Sequence, residues 1–192
     1  MQIHLPDADI EYFEGFIKTL EAETYFKQLY RDIAWRTDTI KLFGKEVIQP
    51  RKTYFMGDER VEYSYSNLRM KANPWTSLVQ SLKTLVEGYT GAEFNACLLN
   101  LYRDGNDSNG WHADDEAPLG KNPFIASLSF GSERSFHLKH RKLPDARWKL
   151  NLAPGSLLIM KGTTQTFYKH QIPKTKRKVS PRINLTFRKI LY

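Results

Sequence analysis

Apolar residues along this chain change their period near residue 91. Before it, Phe13, Phe16, Ile17 and Leu20 recur at three- and four-residue spacing, which predicts a first helix. Trp75, Leu78, Leu82, Leu85 and Val86 form a second helical stripe, with Asn73 as its cap, Pro74 in its first turn and Gly88 closing it. Between the two, residues 42–69 are rich in aromatic and β-branched side chains and are broken by Gly44 and Gly57, a pattern for strands paired as hairpins. After Gly91 the chain reads as short strands at 94–102, 124–130, 135–140, 148–152, 156–161 and 182–189. Punctuation comes from the Gly- and Asn-rich stretch 104–110, from Gly131-Ser132 and from Pro154-Gly155. Many short strands at this spacing predict a β-sandwich or barrel with helices over one face, an α+β protein.

Composition narrows the class. The 192 residues, 41% hydrophobic and 13% aromatic, suffice for one domain with a sizeable core. Cys97 is the single cysteine, so no internal disulfide or cysteine metal cluster can form; within Ala96-Cys97-Leu98-Leu99 it reads as a buried small hydrophobe. The stretch Met1-Gln2-Ile3-His4-Leu5-Pro6 has neither the basic nor the apolar region of a signal peptide, and no segment nears the roughly 18 apolar residues of a membrane span. A reducing compartment is therefore expected, the cytoplasm of a bacterium or the nucleus of a eukaryote, with no membrane association. Twenty-nine Lys and Arg against 21 Asp and Glu give a net charge of +8. That surplus suits a polyanion, nucleic acid above all. A merely solvated basic surface fits the charge as well.

Candidate chemistry begins at His112-Ala113-Asp114. Ligands at i and i+2 of an extended chain point to the same side, so this His and Asp can meet one ion. His170 is the natural third ligand, across several strands; His4 is remote, and His137 and His140 read as surface or groove residues. Two His and one carboxylate leave coordination positions open, which suits Fe(II) and oxygen chemistry better than closed structural zinc. A surface His beside the acidic run Asp114-Asp115-Glu116 is the alternative for this motif alone. In the final strand, Ile183, Leu185 and Phe187 alternate with Arg182, Asn184, Thr186 and Arg188, placing the polar residues on one face. Asn100 and Tyr102 share a face in the same way. Such donors suit a small dicarboxylate, because arginine can give a carboxylate two parallel hydrogen bonds.

Taken together, these motifs resemble the AlkB family of Fe(II)- and 2-oxoglutarate-dependent nucleic-acid dealkylases. The matching elements run from Asn100-x-Tyr102 through His112-x-Asp114-x-Glu116, the strand 125–131, Leu152-x-x-Gly155-Ser156-Leu157 and His170 to Pro181-Arg182-x-Asn184-Leu185-Thr186-Phe187-Arg188. Upstream, Phe43-Gly44-Lys45, Pro50-Arg51, Gly57-Asp58, Tyr63-Ser64-Tyr65 and Pro74-Trp75 resemble the nucleotide-recognition region of the family's duplex-DNA repair branch. The resemblance implies a double-stranded β-helix (jelly roll) with N-terminal supporting helices and a nucleotide-recognition hairpin region. A single dioxygenase domain would span 1–192, with helices and recognition region over about 1–90 and the catalytic jelly roll over about 91–192.

The resemblance further implies that His112, Asp114 and His170 bind Fe(II), and that Asn100, Tyr102, Arg182, Asn184 and Arg188 bind 2-oxoglutarate. Arg188 is expected at the distal carboxylate and Arg182 nearer the metal. With O2 as the second co-substrate, the implied reaction demethylates N-alkylated bases such as 1-methyladenine and 3-methylcytosine in DNA, releasing formaldehyde, succinate and CO2. Such an enzyme takes its base out of the stack. Tyr63 and Tyr65 resemble the aromatics that hold the flipped base with His112, and Glu116 reaches its edge. Phe43 resembles the finger that fills the vacated stack. Lys176 and Arg177, within the basic run 174–178, would meet phosphates. A monomer acting on DNA is expected, duplex ahead of single strands, with RNA left open. The alternatives are an RNA- or protein-directed oxygenase and a silent nucleic-acid-binding module.

Overall fold

The structure, a computed structural model, describes residues 1–42, 45–65 and 68–191, but not the side chains of 40–42, 45, 63–65 and 68–70. In chain order, strands β1 (Gln2–Ile3) and β2 (Asp9–Phe13) precede helix α1 (Thr19–Asp32). Strands β3 (Thr39–Leu42), β4 (Lys45–Ile48), β5 (Lys52–Gly57), β6 (Glu62–Tyr65) and β7 (Leu68–Lys71) lead to helix α2 (Ser77–Thr90). Then come β8 (Ala96–Tyr102), β9 (Asn109–His112), a 3-10 turn (Ala117–Leu119), β10 (Ile125–Gly131), β11 (Arg134–His140), β12 (Arg147–Leu152) and β13 (Leu157–Lys161). The short helix α3 (Thr164–Phe167) and strands β14 (Tyr168–Ile172) and β15 (Arg182–Arg188) complete the chain.

Two antiparallel sheets face each other. The larger has the order β1-β2-β13-β10-β15-β8-β5, and the smaller β12-β11-β14-β9. Strands from residues 1–90 thus complete the larger sheet at both edges. Alternation along its strands separates two layers. Leu99, Leu101, Leu128, Phe130, Ile183, Leu185 and Phe187 pack beneath Ala22 and Leu29 of α1 and Val79, Leu82 and Val86 of α2. Burying each such Leu or Phe contributes roughly 1.5–3 kcal/mol. The opposite face, with Tyr102, Ile125, Leu158 and Met160, packs against Phe136, Leu138, Leu152, Tyr168 and Ile172 of the smaller sheet. The antiparallel pairs β3–β4 and β6–β7 stand apart from both sheets.

Both predicted helices exist, with shifted boundaries. Phe13 lies on β2, paired with Leu157, and the Ile17 amide bonds to the Gly155 carbonyl, so the spacing from Phe13 to Ile17 serves a strand and its exit. Helix α1 starts beyond them, and Leu20 is 79% exposed on it. Asn73 does not cap α2, because its side chain donates to the Phe55 carbonyl on β5. Thr76 caps it instead, accepting from Val79 N at 3.3 Å, and the helix runs through Gly88 to Gly91, whose φ of 68° suits glycine. No helix among the described residues is long and apolar enough to cross a membrane.

Candidate metal centre and acid-binding cavity

Strands β9 and β14 pair so that His112 lies directly opposite His170. Their rings sit 4.2 Å apart, and Asp114 follows two residues beyond His112. One ligand atom from each of the three residues falls within 4.8 Å of the others. Gly110 orients the first histidine: its carbonyl accepts from His112 Nδ1 at 2.7 Å. The Nε2 lone pair is thereby left available, and the Asn109 amide donates to it at 3.1 Å. Asp114 is held at both ends. Its backbone N–H donates to Gln165 at 3.0 Å, and its carboxylate accepts from Arg188 Nη2 at 2.8 Å.

Electrostatics put all three residues in their metal-binding protonation states. Burial, then the neighbouring His112, pushes His170 down to about 3. Burial likewise lowers His112, against the pull of Asp114. For Asp114, burial favours the neutral acid, but the Arg188 charge foremost overcomes it and holds the carboxyl at about 2. Neutral imidazoles and an anionic carboxylate need no deprotonation to take a cation. The chemistry of this donor set, and its clustering on one wall of a cavity, fit Fe(II) with open positions.

That cavity runs on between the sheets. Asn100, Tyr102, Arg182, Asn184 and Arg188 all line it together with the His–Asp–His cluster. Asn184 lies opposite Asn100 in the β15–β8 register and donates to Ser127 Oγ at 2.7 Å. Arg182 is fully buried, gives one N–H to Ser129 Oγ at 2.9 Å, and lies 5.3 Å from the Tyr102 ring centroid. Its Nε and Nη1 have no hydrogen-bond acceptor among the described residues. Burial lowers its pKa to about 10, which still leaves it cationic at neutral pH. A buried guanidinium with open donors is costly unless an anion meets it, and a carboxylate matches its geometry. The residues present therefore fit a small diacid reaching from the metal centre to Arg182.

The order expected for the two arginines is reversed. Arg188 is at the metal end, bonded to Asp114, and Arg182 is at the far end beside Tyr102. Periodicity places both on one face of β15 but carries no information on which end meets β9. A second correction concerns His140, which is buried rather than at the surface. Its ring stacks on Phe167 and its Nε2 lies 3.3 Å from Asp7. His137 is half-buried on the outer face of the smaller sheet, and His4 is exposed.

Glu116 is half-buried where the chain enters the 3-10 turn. Lys176 and Arg177 are exposed in the loop between β14 and β15. That loop lies tight on Gly105, where any side chain would collide with the Thr175 carbonyl. Phe43 lies outside the described residues; Tyr63 and Tyr65 lie on β6, and their side chains are outside the described part. Sequence reasoning missed Gln165, the partner of the Asp114 amide, and the bond from Arg51 Nε to Asn100 at 2.8 Å. It also missed Ser127 and Ser129, although small polar residues at i and i+2 within an apolar strand are a readable sign of a lined cavity.

A family profile described as "2OG-Fe(II) oxygenase superfamily" matches residues 9–188. Alpha-ketoglutarate-dependent dioxygenase alkB homolog 3 of Bos taurus is 42% identical over 185 residues, covering 92% of this chain and 64% of that protein. The Homo sapiens protein of the same name is 40% identical, covering 93% and 65%. DNA oxidative demethylase ALKBH2 of Homo sapiens is 39% identical over 181 residues, covering 89% of this chain and 69% of that protein. The chain thus spans about two thirds of the length of these relatives. Among solved structures, "The structure of OsALKBH1" superposes with a TM-score of 0.70 over 98% of this chain and 99% of that one; at 16% identity this speaks for the fold alone, a jelly roll. With a profile match from residue 9 to residue 188 and relatives near 40% identity, this chain belongs to the 2OG-Fe(II) oxygenase superfamily, among its AlkB homologues.

Proposed function

We propose that the chain is an Fe(II)- and 2-oxoglutarate-dependent dioxygenase that oxidatively demethylates N-alkylated bases, 1-methyladenine and 3-methylcytosine, in DNA. The observation that carries this reading is the continuous cavity, with a metal-ready His–Asp–His cluster at one end and a buried arginine with open donors at the other. When bound, the metal and the diacid supply the oxidation: O2 and 2-oxoglutarate are consumed, succinate and CO2 leave, and the hydroxylated N-methyl carbon departs as formaldehyde. His112, Asp114 and His170 hold the metal, and Arg188 fixes the orientation of Asp114. Arg182 takes the diacid's remote carboxylate, while Asn100, Tyr102 and Asn184 line its path and keep it extended. Holding the reacting carbon close is the protein's share of catalysis.

The choice of DNA rests on the relative named a DNA oxidative demethylase and on the +8 charge. In this reading Tyr63 and Tyr65 close on the flipped base with His112, Glu116 meets its edge, Phe43 fills the gap in the duplex, and Lys176 and Arg177 hold phosphates. The enzyme acts as a monomer and favours duplex DNA over single strands. The test is formaldehyde release from oligonucleotides carrying 1-methyladenine, duplex and single-stranded, with Fe(II) and 2-oxoglutarate each omitted in turn. Release that needs both supports the reading. Succinate without formaldehyde removes the substrate assignment, and neither product with iron and 2-oxoglutarate present removes the enzyme. Phe43→Ala should lower duplex turnover more than single-strand turnover; an equal loss rejects the finger.

A further inference from the structure

The outer face of the smaller sheet is lined with cations that the reaction does not use. Cross-strand register sets Lys139 opposite Arg147 on one side and Lys169 on the other, so three cations stand in one row. In the next row Lys149 faces His137, which faces Gln171. On the neighbouring edge strand β9, Trp111 is 37% exposed, and the Lys139 ammonium lies 4.3 Å from its ring centroid. Like charges directly opposed across strands destabilise a sheet. Several cations elsewhere in the fold do have acidic partners: Arg141 meets Asp115, Arg103 meets Asp107, Lys161 meets Glu11 and Lys83 meets Glu87. Among the described residues, Lys139, Arg147, Lys149 and Lys169 have no ion pair with an acid. The face therefore keeps a repulsion that a bound polyanion would relieve.

We propose that this face is a second docking surface for nucleic acid, holding the phosphate backbone that runs on from the target nucleotide. The proposal rests on the nucleic-acid reading of the metal site. Strand alternation sets the two surfaces back to back across β9, at the edge of the smaller sheet: His112 points into the cavity and Trp111, its neighbour, points out. Likewise His170 points in, while Lys169, its neighbour on β14, points out. The row from Lys169 to Arg147 crosses three strands, on the order of 10 Å at ~4.8 Å per strand. That is the axial length of about three nucleotides of one strand. Trp111 supplies a ring on which a base can stack, which an acidic peptide would not exploit. The row lies on strands β11, β12 and β14, whereas the basic run 174–178 lies in the loop between β14 and β15.

The test compares K139S/K149S/K169S with a charge-matched control, K18S/K27S/K121S, whose lysines are exposed elsewhere. Removing opposed charges should not endanger the fold. Binding of an unmodified oligonucleotide of about 20 bases is measured against salt, and turnover on a 1-methyladenine trinucleotide is measured in parallel. The ladder variant should bind the long oligonucleotide at least about tenfold more weakly at ~0.1 M salt, with a log–log salt slope shallower by roughly 2–3. Trinucleotide turnover should not change, and Trp111→Ala should weaken the long oligonucleotide at least about fivefold. The proposal is overturned if the ladder variant keeps the parent slope, or if the control loses as much. Equal binding of polyglutamate by the parent, lost equally in the ladder variant, overturns it in favour of an acidic protein. Failure of the parent itself to bind any oligonucleotide removes the nucleic-acid reading beneath it, a result distinct from an unaffected variant.

Discussion

Replacing Arg188 by methionine should unbalance the metal centre before any metal is bound. Arg188 and Asp114 are 5% and 2% exposed and 2.8 Å apart. The substitution keeps most of the side-chain volume but leaves the carboxylate buried without its guanidinium. Stripping one partner from a buried pair costs about 3–5 kcal/mol. An exposed pair such as Arg31–Asp32, 75% and 52% exposed, is screened by solvent and contributes far less. At roughly 2–4 °C per kcal/mol for a chain of this size, metal-free Arg188→Met should melt about 10 °C below the parent. A divalent cation should restore part of the loss, because it gives the carboxylate a new counter-charge. The assay is thermal melting at pH 7 after chelation, repeated with added Mn(II), with Arg31→Ala as the exposed control. Melting within about 2 °C of the parent, or a loss no larger than that of Arg31→Ala, would refute the claim that this ion pair holds Asp114.

Three further outcomes follow from the same geometry. Arg182→Met should raise the KM for 2-oxoglutarate about a hundredfold with little change in kcat, and Arg182→Lys should recover part of it; an unchanged KM would exclude Arg182 as the carboxylate partner. Gln165→Leu takes the acceptor from the buried Asp114 N–H and should weaken Fe(II) binding by roughly 10–100-fold, read by titration of the metal-free protein. Metal-free protein should lose stability as pH falls from 6.5 towards about 3, because the unfolded chain takes up a proton that buried His170 refuses. The His170 part of that slope is at most about 1.4 kcal/mol per pH unit, and a His170→Phe variant with an undiminished slope would assign the loss elsewhere.

Most of the strands after residue 91 were readable because they are short, alternating and bounded by turn residues. Predicted strands at 94–102, 124–130, 135–140 and 148–152 match β8, β10, β11 and β12 to within two residues at either end. Strands β9 and β14, which carry the two histidines, were not read. Their residues are polar or charged on one side and lack a clean apolar alternation, as befits strands that line a cavity and face solvent. Phe13 and Ile17 misled for a different reason: a strand leading into a turn can mimic helical spacing over four residues. At the site, motif and face were legible, but the direction of β15 across β9 was not. That direction is decided by sheet order, and no local pattern encodes sheet order.

Strand β9 has two sides with two clients. Its inward side brings His112 to the metal centre, and its outward side shows Trp111 to the cationic face. It is also an edge strand of four residues and, among the described residues, pairs only with β14. Order imposed on it by a metal ion is therefore order that an external ligand need not supply, and thermodynamic linkage makes the exchange reciprocal. Whatever factor iron adds to the retention of a long polyanion, the polyanion must add to the retention of iron. Slow escape of metal from the protein while it is engaged, compared with the free protein, would be the signature of that shared strand.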